Sequence, residues 1–415
     1  MISNIYINSE RLWQSLADMA KIGPGVAGGN NRQTVTDADG EARALFAEWC
    51  KGAGLVMSVD KVGNMFMMRP GSDPDALPVY VGSHLDTVPA GGKYDGVLGV
   101  LAGLELVRTL NDNKISTRHP IVVVNWSNEE GARFHPAMLG SGVFIGKQDI
   151  AFAYAREDMD GKRFGDELRR IGWAGEEEPG NRKMQAYFEL HIEQGPVLEA
   201  ASKEIGVITH CQGMKRPQYT LTGKAVHTGS TPMHMRVNAG LAAARITEVV
   251  QEVAMAEQPN AVAGIGKMVY SPCSPNVLPS TVLFAIDIRT VDGDKLQRMY
   301  DTIWQRAEKI CAELGVGCKV EEVGSFDPVT FAPELVNAVR SSAEALGYGH
   351  MDMVSGSGHD ACWIAEVAPA AMIMCPCVDG LSHNEAEAIS PEWAAAGADV
   401  LLHSVLKVAG QSNQN

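Results

Sequence analysis

Two short apolar runs, Leu77 to Gly82 (LPVYVG) and Ile121 to Trp126 (IVVVNW), bracket an apolar stretch from Gly96 to Leu110. A short run that is apolar throughout, rather than alternating, suits a strand buried on both faces. The longer stretch between them reads as a buried helix. Strands alternating with helices call for a largely parallel sheet covered on both faces. Thr36 to Asp39 sets small polar residues ahead of an amphipathic run from Glu41 to Gly54, which is how a helix start reads. The alternation returns near the end of the chain, in Pro333 to Leu346, Ala361 to Val367 and Ala371 to Cys375.

Between these two stretches the pattern changes. Gln218 to Thr222 alternates as a half-exposed strand, and Val237 to Val253 reads as a helix. Val262 to Tyr270 and Thr281 to Arg289 read as strands across the turn-rich SPCSPNVLPS. Leu296 to Leu314 is a second helix and Lys319 to Val323 a closing strand. The order β-α-β-β-α-β is the split βαβ, ferredoxin-like unit, complete in itself. We therefore expect an inserted second domain at residues 213–324, with 1–212 and 325–415 forming the first. Gly213 and Gly324 lie near the joins and read as hinge points. At 415 residues, two cores are the expectation. The final GQSNQN reads as a loose polar tail.

The formal net charge of −15 argues against nucleic acid and acidic membranes as partners. No stretch is long and apolar enough to span a bilayer. The opening MISNIYINSERLWQ lacks the basic and apolar regions of a secretory signal, so a cytoplasmic location is expected. The eight scattered cysteines then read as reduced, mostly buried thiols. Cys375-Pro-Cys377 has the spacing of neither a zinc knuckle nor a CxxC redox pair.

Chemistry-bearing residues cluster at or just beyond strand ends, where open α/β sheets bind ligands. His84, in GSHLDTV, would leave its strand as a metal ligand, with Asp86 accepting its other ring N–H. Asp95 precedes the apolar helix among glycines, where a carboxylate can bridge two metals. Glu129 and Glu130 follow the IVVVNW strand. Two adjacent acids there cannot both be left unpaired; one as metal ligand and one as proton carrier resolves this. Further clusters are ELHIEQG around His191 and GLSHNE around His383. Singly, each has a bland reading: a hydrogen-bonded histidine, a solvated acid pair. Jointly they suit Zn²⁺, Mn²⁺, Co²⁺ or Ni²⁺, two ions sharing a carboxylate at about 3.5–4 Å and polarising one water.

The motifs GSHLDTV, KYDGVLGV, NEEGARF, ELHIEQGPVLE, AVHTG, PNVLP, DIR, SGSGHDA and GLSHNEAE occur in this order along nearly the whole chain. In them the chain resembles the hydantoinase/carbamoylase branch of the M20 metallopeptidase-like family. That branch includes N-carbamoyl-L-amino-acid hydrolases, β-ureidopropionases and allantoate amidohydrolases. The resemblance implies an α/β, zinc-exopeptidase-like catalytic domain on a mixed, largely parallel sheet, with an inserted ferredoxin-like α+β lid and dimerisation domain. It implies two divalent metal ions per subunit, one held by His84, Asp95 and His191, the other by Asp95, Glu130 and His383. It makes Glu129 the general base and His227 an oxyanion-stabilising histidine reaching in from the partner subunit of a homodimer. Gln194, Asn276, Arg289 and His359 resemble the substrate-binding set, and Arg289 would pair bidentately with a substrate carboxylate.

The implied activity is hydrolysis of the carbamoyl or ureido C–N bond of a small ureido acid: an N-carbamoyl-α-amino acid, N-carbamoyl-β-alanine or allantoate. A dipeptidase or aminoacylase of the same fold is less favoured, because those branches usually carry an acid where His191 stands. Asn276 as a turn former, His227 as a loop cap and Arg289 as a surface cation are the bland alternatives. Three features depart from the family pattern: Cys377, where many relatives have serine; the run PMHMRVNAG around His234 and Asn238, where a more acidic pattern is usual; and MKRPQY after Gly213.

Overall fold

The structure, a computed structural model, describes residues 5–259 and 261–411. It divides into two compact units: the chain up to Thr209 together with the chain from Thr330 onward, and His210–Val329. The joins therefore fall a few residues outside the 213–324 expected from the sequence. Gly213 and Gly324 lie within a few residues of these joins. Each lies inside a paired strand, Gly213–Thr222 and Gly317–Phe326, and Gly324 falls where the pairing register shifts. Most of the polar tail lies outside the described residues. Its first two members are tied down, Gly410 by Arg118 and Gln411 by a bridge to Thr117.

The first unit is built on a nine-stranded sheet. Its four central strands, in spatial order, are Ile121–Trp126, Val79–His84, Ala186–Ile192 and Ala370–Cys375, all parallel. Outside them the pairing turns antiparallel. Met65–Arg69 lies beside Ile121–Trp126 and Val56–Val59 beside Met65–Arg69, while Ile205–Cys211 flanks Ala370–Cys375. The sheet is mixed, as expected, with its parallel pairing confined to the centre. The reason is connection length. The short link between Val59 and Met65 permits a hairpin, whereas parallel neighbours need a crossover of a dozen or more residues.

Helix Val97–Asp112 lies over strand Val79–His84, and helix Pro391–Ala409 packs against it and against Ala370–Cys375. Both are buried on nearly every side. A helix apolar all round carries little amphipathic signal, and Pro391–Ala409 is absent from the sequence reading. A Cβ on Gly99 would overlap the Leu190 carbonyl, so helix and sheet meet closely here. Truncating a core leucine such as Leu101 to alanine would cost about 2–5 kcal/mol.

The register aligns the ends of the central strands. His84 pairs with Trp126 and Met374 with His191. Val81 pairs with Phe188, and the same offset carries His84 level with His191. Because these strands are parallel, the residues just past them gather at one edge of the sheet.

The second unit has a four-stranded sheet in the order Gly317–Phe326, Gly213–Thr222, Thr281–Thr290, Ala261–Ser271, antiparallel throughout. Helices Ala239–Ala256 and Gly293–Leu314 cover one face. Strand Thr281–Thr290 alternates cleanly: Val282, Phe284, Ile286 and Ile288 are buried with the helices' apolar sides. In chain order the strands lie 4-1-3-2, the ferredoxin-like arrangement. Asn238, in the departing PMHMRVNAG run, caps the first helix by accepting from the Leu241 N–H. Among the described residues, no helix is long and apolar enough to cross a membrane.

Candidate metal centre

The edge of the first unit's sheet collects His84, Asp95, Glu129, Glu130, His191 and His383. His84 ends its strand, and its Nδ1 lies 2.9 Å from the Asp86 backbone carbonyl. A carbonyl only accepts, so Nδ1 carries the proton and Nε2 turns its lone pair inward. His191 repeats the device, with Nδ1 2.9 Å from the Ile192 carbonyl. The sequence reading expects Asp86 to accept the His84 ring N–H, and it does so through its backbone carbonyl rather than its carboxylate. That carboxylate is 3.8 Å from Nδ1 and instead accepts the Glu129 N–H at 3.2 Å.

Asp95 sits between the histidines. Its Oδ1 is 3.0 Å from His191 Nε2 and 3.7 Å from His84 Nε2, and its Oδ2 is 3.3 Å from His383 Nε2. Glu130 lies 3.2 Å from His383 Nε2. The donor atoms of His84, Asp95 and His191 all lie within 4.8 Å of one another, as do those of Asp95, Glu130 and His383. The two groups share Asp95. Gly96, at φ 67°, makes the close approach possible; a Cβ there would overlap the His84 ring. Glu129 follows Asn128, held at φ 56°, and its Oε2 reaches within 3.5 Å of His84 Nε2.

This edge concentrates negative charge away from water. Asp86, Asp95 and Glu129 are buried. Among the described residues, no lysine or arginine forms an ion pair with them or with Glu130. Burial, followed by the charges of Asp360, Glu130, Asp86 and Asp95, pushes the Glu129 carboxyl well above the usual range. Burial would also raise Asp95, but hydrogen bonds from His191 and His383 hold it well below. Those histidines take up protons in return. Burial disfavours the charged His191 ring, yet Asp95 raises it to about 9. Hydrogen bonds to Asp95 and Glu130 raise His383 to about 10. Imidazole and carboxylate donors converging around a shared carboxylate fit a pair of divalent ions.

Gln194, at φ 57°, donates to Asp95 Oδ2 at 2.9 Å and to Ser382 at 3.2 Å. Its Oε1 is buried with no hydrogen-bond partner among the described residues. His359 stands with its ring centroid 4.5 Å from that of His191 and its Nε2 3.1 Å from Ser355 Oγ. A third group, Glu189, His191 and His359, also has converging donor atoms. Glu189, however, is already satisfied by Ser83 at 2.7 Å, Tyr187 at 3.2 Å and the Ala361 N–H at 2.8 Å. Cys375 and Cys377 are buried free thiols, and burial pushes both up.

His227, Asn276 and Arg289 belong to the second unit. The exposed His227 ring accepts the Gly229 and Ser230 N–H groups on Nδ1, at 3.0 and 3.1 Å, which leaves Nε2–H as its donor. The Asn276 carbonyl accepts the Thr228 N–H at 3.0 Å, tying the SPN turn to the histidine loop. Arg289 forms a bidentate pair with Asp287, at 2.8 and 3.1 Å, two residues back on the same strand face.

The sequence reading passes over Ser382, Glu387, Glu189 and Asp360 as individual residues, although each lies in or beside a quoted motif. Glu189, Asp360 and Glu387 are marked out only by burial of an acid, which needs the fold to be seen.

Comparison with known proteins gives the class first. The profile of Peptidase family M20/M25/M40 matches residues 80–407, and the chain belongs to that family, in its hydantoinase/carbamoylase branch. An N-carbamoyl-L-amino-acid amidohydrolase of Rhizobium meliloti is 68% identical over 98% of both chains. One of Geobacillus stearothermophilus is 37% identical over 97% of this chain and 99% of its own. A crystal structure of an amidase of the hydantoinase/carbamoylase family from Burkholderia multivorans superposes with a TM-score of 0.95, at 48% identity and 98% coverage of both chains.

Proposed function

We propose that this protein hydrolyses the carbamoyl C–N bond of N-carbamoyl-L-amino acids. It is a hydrolase acting on non-peptide C–N bonds. The observation that carries the reading is the 68% identity, over 98% of both chains, to an N-carbamoyl-L-amino-acid amidohydrolase. The arrangement of donors supports the reaction type. His84, Asp95 and His191 would hold one divalent ion, and Asp95, Glu130 and His383 the other. When bound, such a pair would polarise the attacking water and stabilise charge developing on the carbamoyl oxygen.

The chain's own groups do the rest. Glu129, buried beside the donors, takes a proton from the attacking water and passes it to the leaving nitrogen. Asp86 holds the backbone that presents Glu129. Gln194 is anchored through its amide nitrogen, so its buried Oε1 faces an incoming ureido N–H as an acceptor. His359 lines the pocket beside His191, and Asn276 supports the substrate from the second unit. His227 offers Nε2–H to the oxyanion. Arg289, oriented by Asp287, receives the substrate carboxylate.

The second unit serves as a lid and as the dimerisation domain of a homodimer. Its sheet ends in the strand Ala261–Ser271, whose outer edge has no partner strand in the sheet and whose Val262, Val269 and Tyr270 are exposed. Such an edge pairs readily with its own copy about a two-fold axis.

A substrate panel tests the reading. Protein stripped by chelation should release no ammonia from any ureido acid. Reloaded with Mn²⁺, Co²⁺, Ni²⁺ or Zn²⁺, it should release ammonia fastest from N-carbamoyl-L-amino acids. Preference for allantoate or N-carbamoyl-β-alanine would reassign the substrate. Full activity in metal-free protein would end the two-metal reading.

Arg289→Lys tests carboxylate recognition. Lysine keeps the charge and loses the planar fork. KM for an N-carbamoyl amino acid should rise roughly tenfold or more, the loss of one charge-assisted hydrogen bond. An amidated substrate analogue should be poor with the wild type and scarcely changed by the substitution. Equal responses from both substrates would make Arg289 structural.

A further inference from the structure

His383 is the outlying donor. Its side chain is 53% exposed, against 1% for His84 and His191. It sits at φ 52°, on a segment outside any helix or strand. The loop is held instead by carboxylates at alternate positions. Glu385 accepts the N–H groups of Val26, Ala27 and Gly29 at 3.3, 2.5 and 3.1 Å. Glu387 is buried, and its Oε1 accepts the N–H groups of Tyr94 and Asp95 at 2.9 and 3.2 Å. Its Oε2 lies 3.2 Å from Ser382 Oγ, and that hydroxyl lies 3.1 Å from Asp95 Oδ2. A Cβ on Gly92 would overlap the Glu387 carboxyl, so the turn leading to Asp95 is shaped around this side chain.

Glu387 therefore braces two segments at once, beside the direct Ser382 and Gln194 contacts to Asp95. It holds the backbone of the Asp95 turn with one oxygen and the His383 loop, through Ser382, with the other. It does not belong to either converging donor group, and its oxygens are occupied by N–H and O–H partners. We propose that Glu387, acting with Ser382, is the positioning residue that keeps Asp95 and His383 in register for the second metal ion. The first ion depends on it less, because His84 and His191 are fixed by the sheet. This inference rests on the metal-centre reading above.

Titration of the metal-free, full-length protein with Co²⁺, followed by calorimetry and by elemental analysis after desalting, tests it. The wild type should take up two equivalents. In Glu387→Ala the weaker equivalent should bind about ten- to a hundredfold less tightly, the usual effect of losing a supporting partner, while the tighter one, which shares Asp95 but has two ligands on strands, should weaken much less. Glu387→Gln keeps an acceptor for the two N–H groups and should recover most of the loss. Ser382→Ala, on the loop surface, should weaken the same equivalent without lowering Tm. Unchanged binding of both equivalents in Glu387→Ala and Ser382→Ala would overturn the proposal. So would equal weakening of both equivalents with a lowered Tm. A wild type that binds no Co²⁺ would instead overturn the metal-centre reading itself.

Discussion

Glu129→Gln should lower kcat by at least about 10²-fold, the range of a lost general base, while leaving two metal ions bound. Glutamine has nearly the same shape and keeps an oxygen near His84 Nε2, now 3.5 Å from Glu129 Oε2. What it cannot do is accept a proton and hand it on. Glu130→Gln should behave differently. Glu130 faces His383 at 3.2 Å on the donor side of the pair, so its loss should lower occupancy of one site. Metal content measured beside kcat separates the two adjacent acids. Equal metal loss in both variants would show that their roles are reversed or shared.

His227→Ala should cost roughly 10²–10³ in kcat, typical for one oxyanion donor. The ring's Nδ1 is engaged by the Gly229 and Ser230 N–H groups, which fixes the tautomer that donates through Nε2. Under the homodimer proposal that donor comes from the partner subunit, and mixing tests this. Glu129→Gln and His227→Ala proteins, each nearly inactive alone, should regain activity once their subunits exchange. In a heterodimer, the site whose own Glu129 is intact also receives an intact His227. Random pairing of equal amounts gives heterodimers with one working site in two, so recovery should approach about a quarter of wild-type activity. No recovery despite demonstrated exchange would place His227 within its own chain's site or outside the chemistry.

Much of the fold was legible because its signals are local. IVVVNW is buried along its whole length, and the strand is observed at Ile121–Trp126 as read. Thr36 caps helix Asp37–Gly52 by accepting the Asp39 N–H. The β-α-β-β-α-β order is carried by alternation such as that of Thr281–Thr290. Elements without a clean period were not legible. Pro391–Ala409 is buried all round, and the Val56–Val59 and Met65–Arg69 hairpin is too short to stand out.

The sequence by itself determined which donor types exist and in what order, because strand ends of a parallel sheet gather at one edge whatever the details. His84, Asp95, the Glu129–Glu130 pair, His191 and His383 could be named without a structure. Only the tertiary structure decided which atoms do what. It gave the His84 Nδ1 contact to the Asp86 carbonyl rather than its carboxylate. It set Asp95 between both histidine groups, and it engaged Arg289 with Asp287. It also joined Glu387 to a turn 292 residues earlier in the chain. Residue identity and periodicity are properties of neighbours along the chain. The direction of a lone pair, or the partner of a buried carboxylate, depends on segments that meet only when the sheet and its helices have packed.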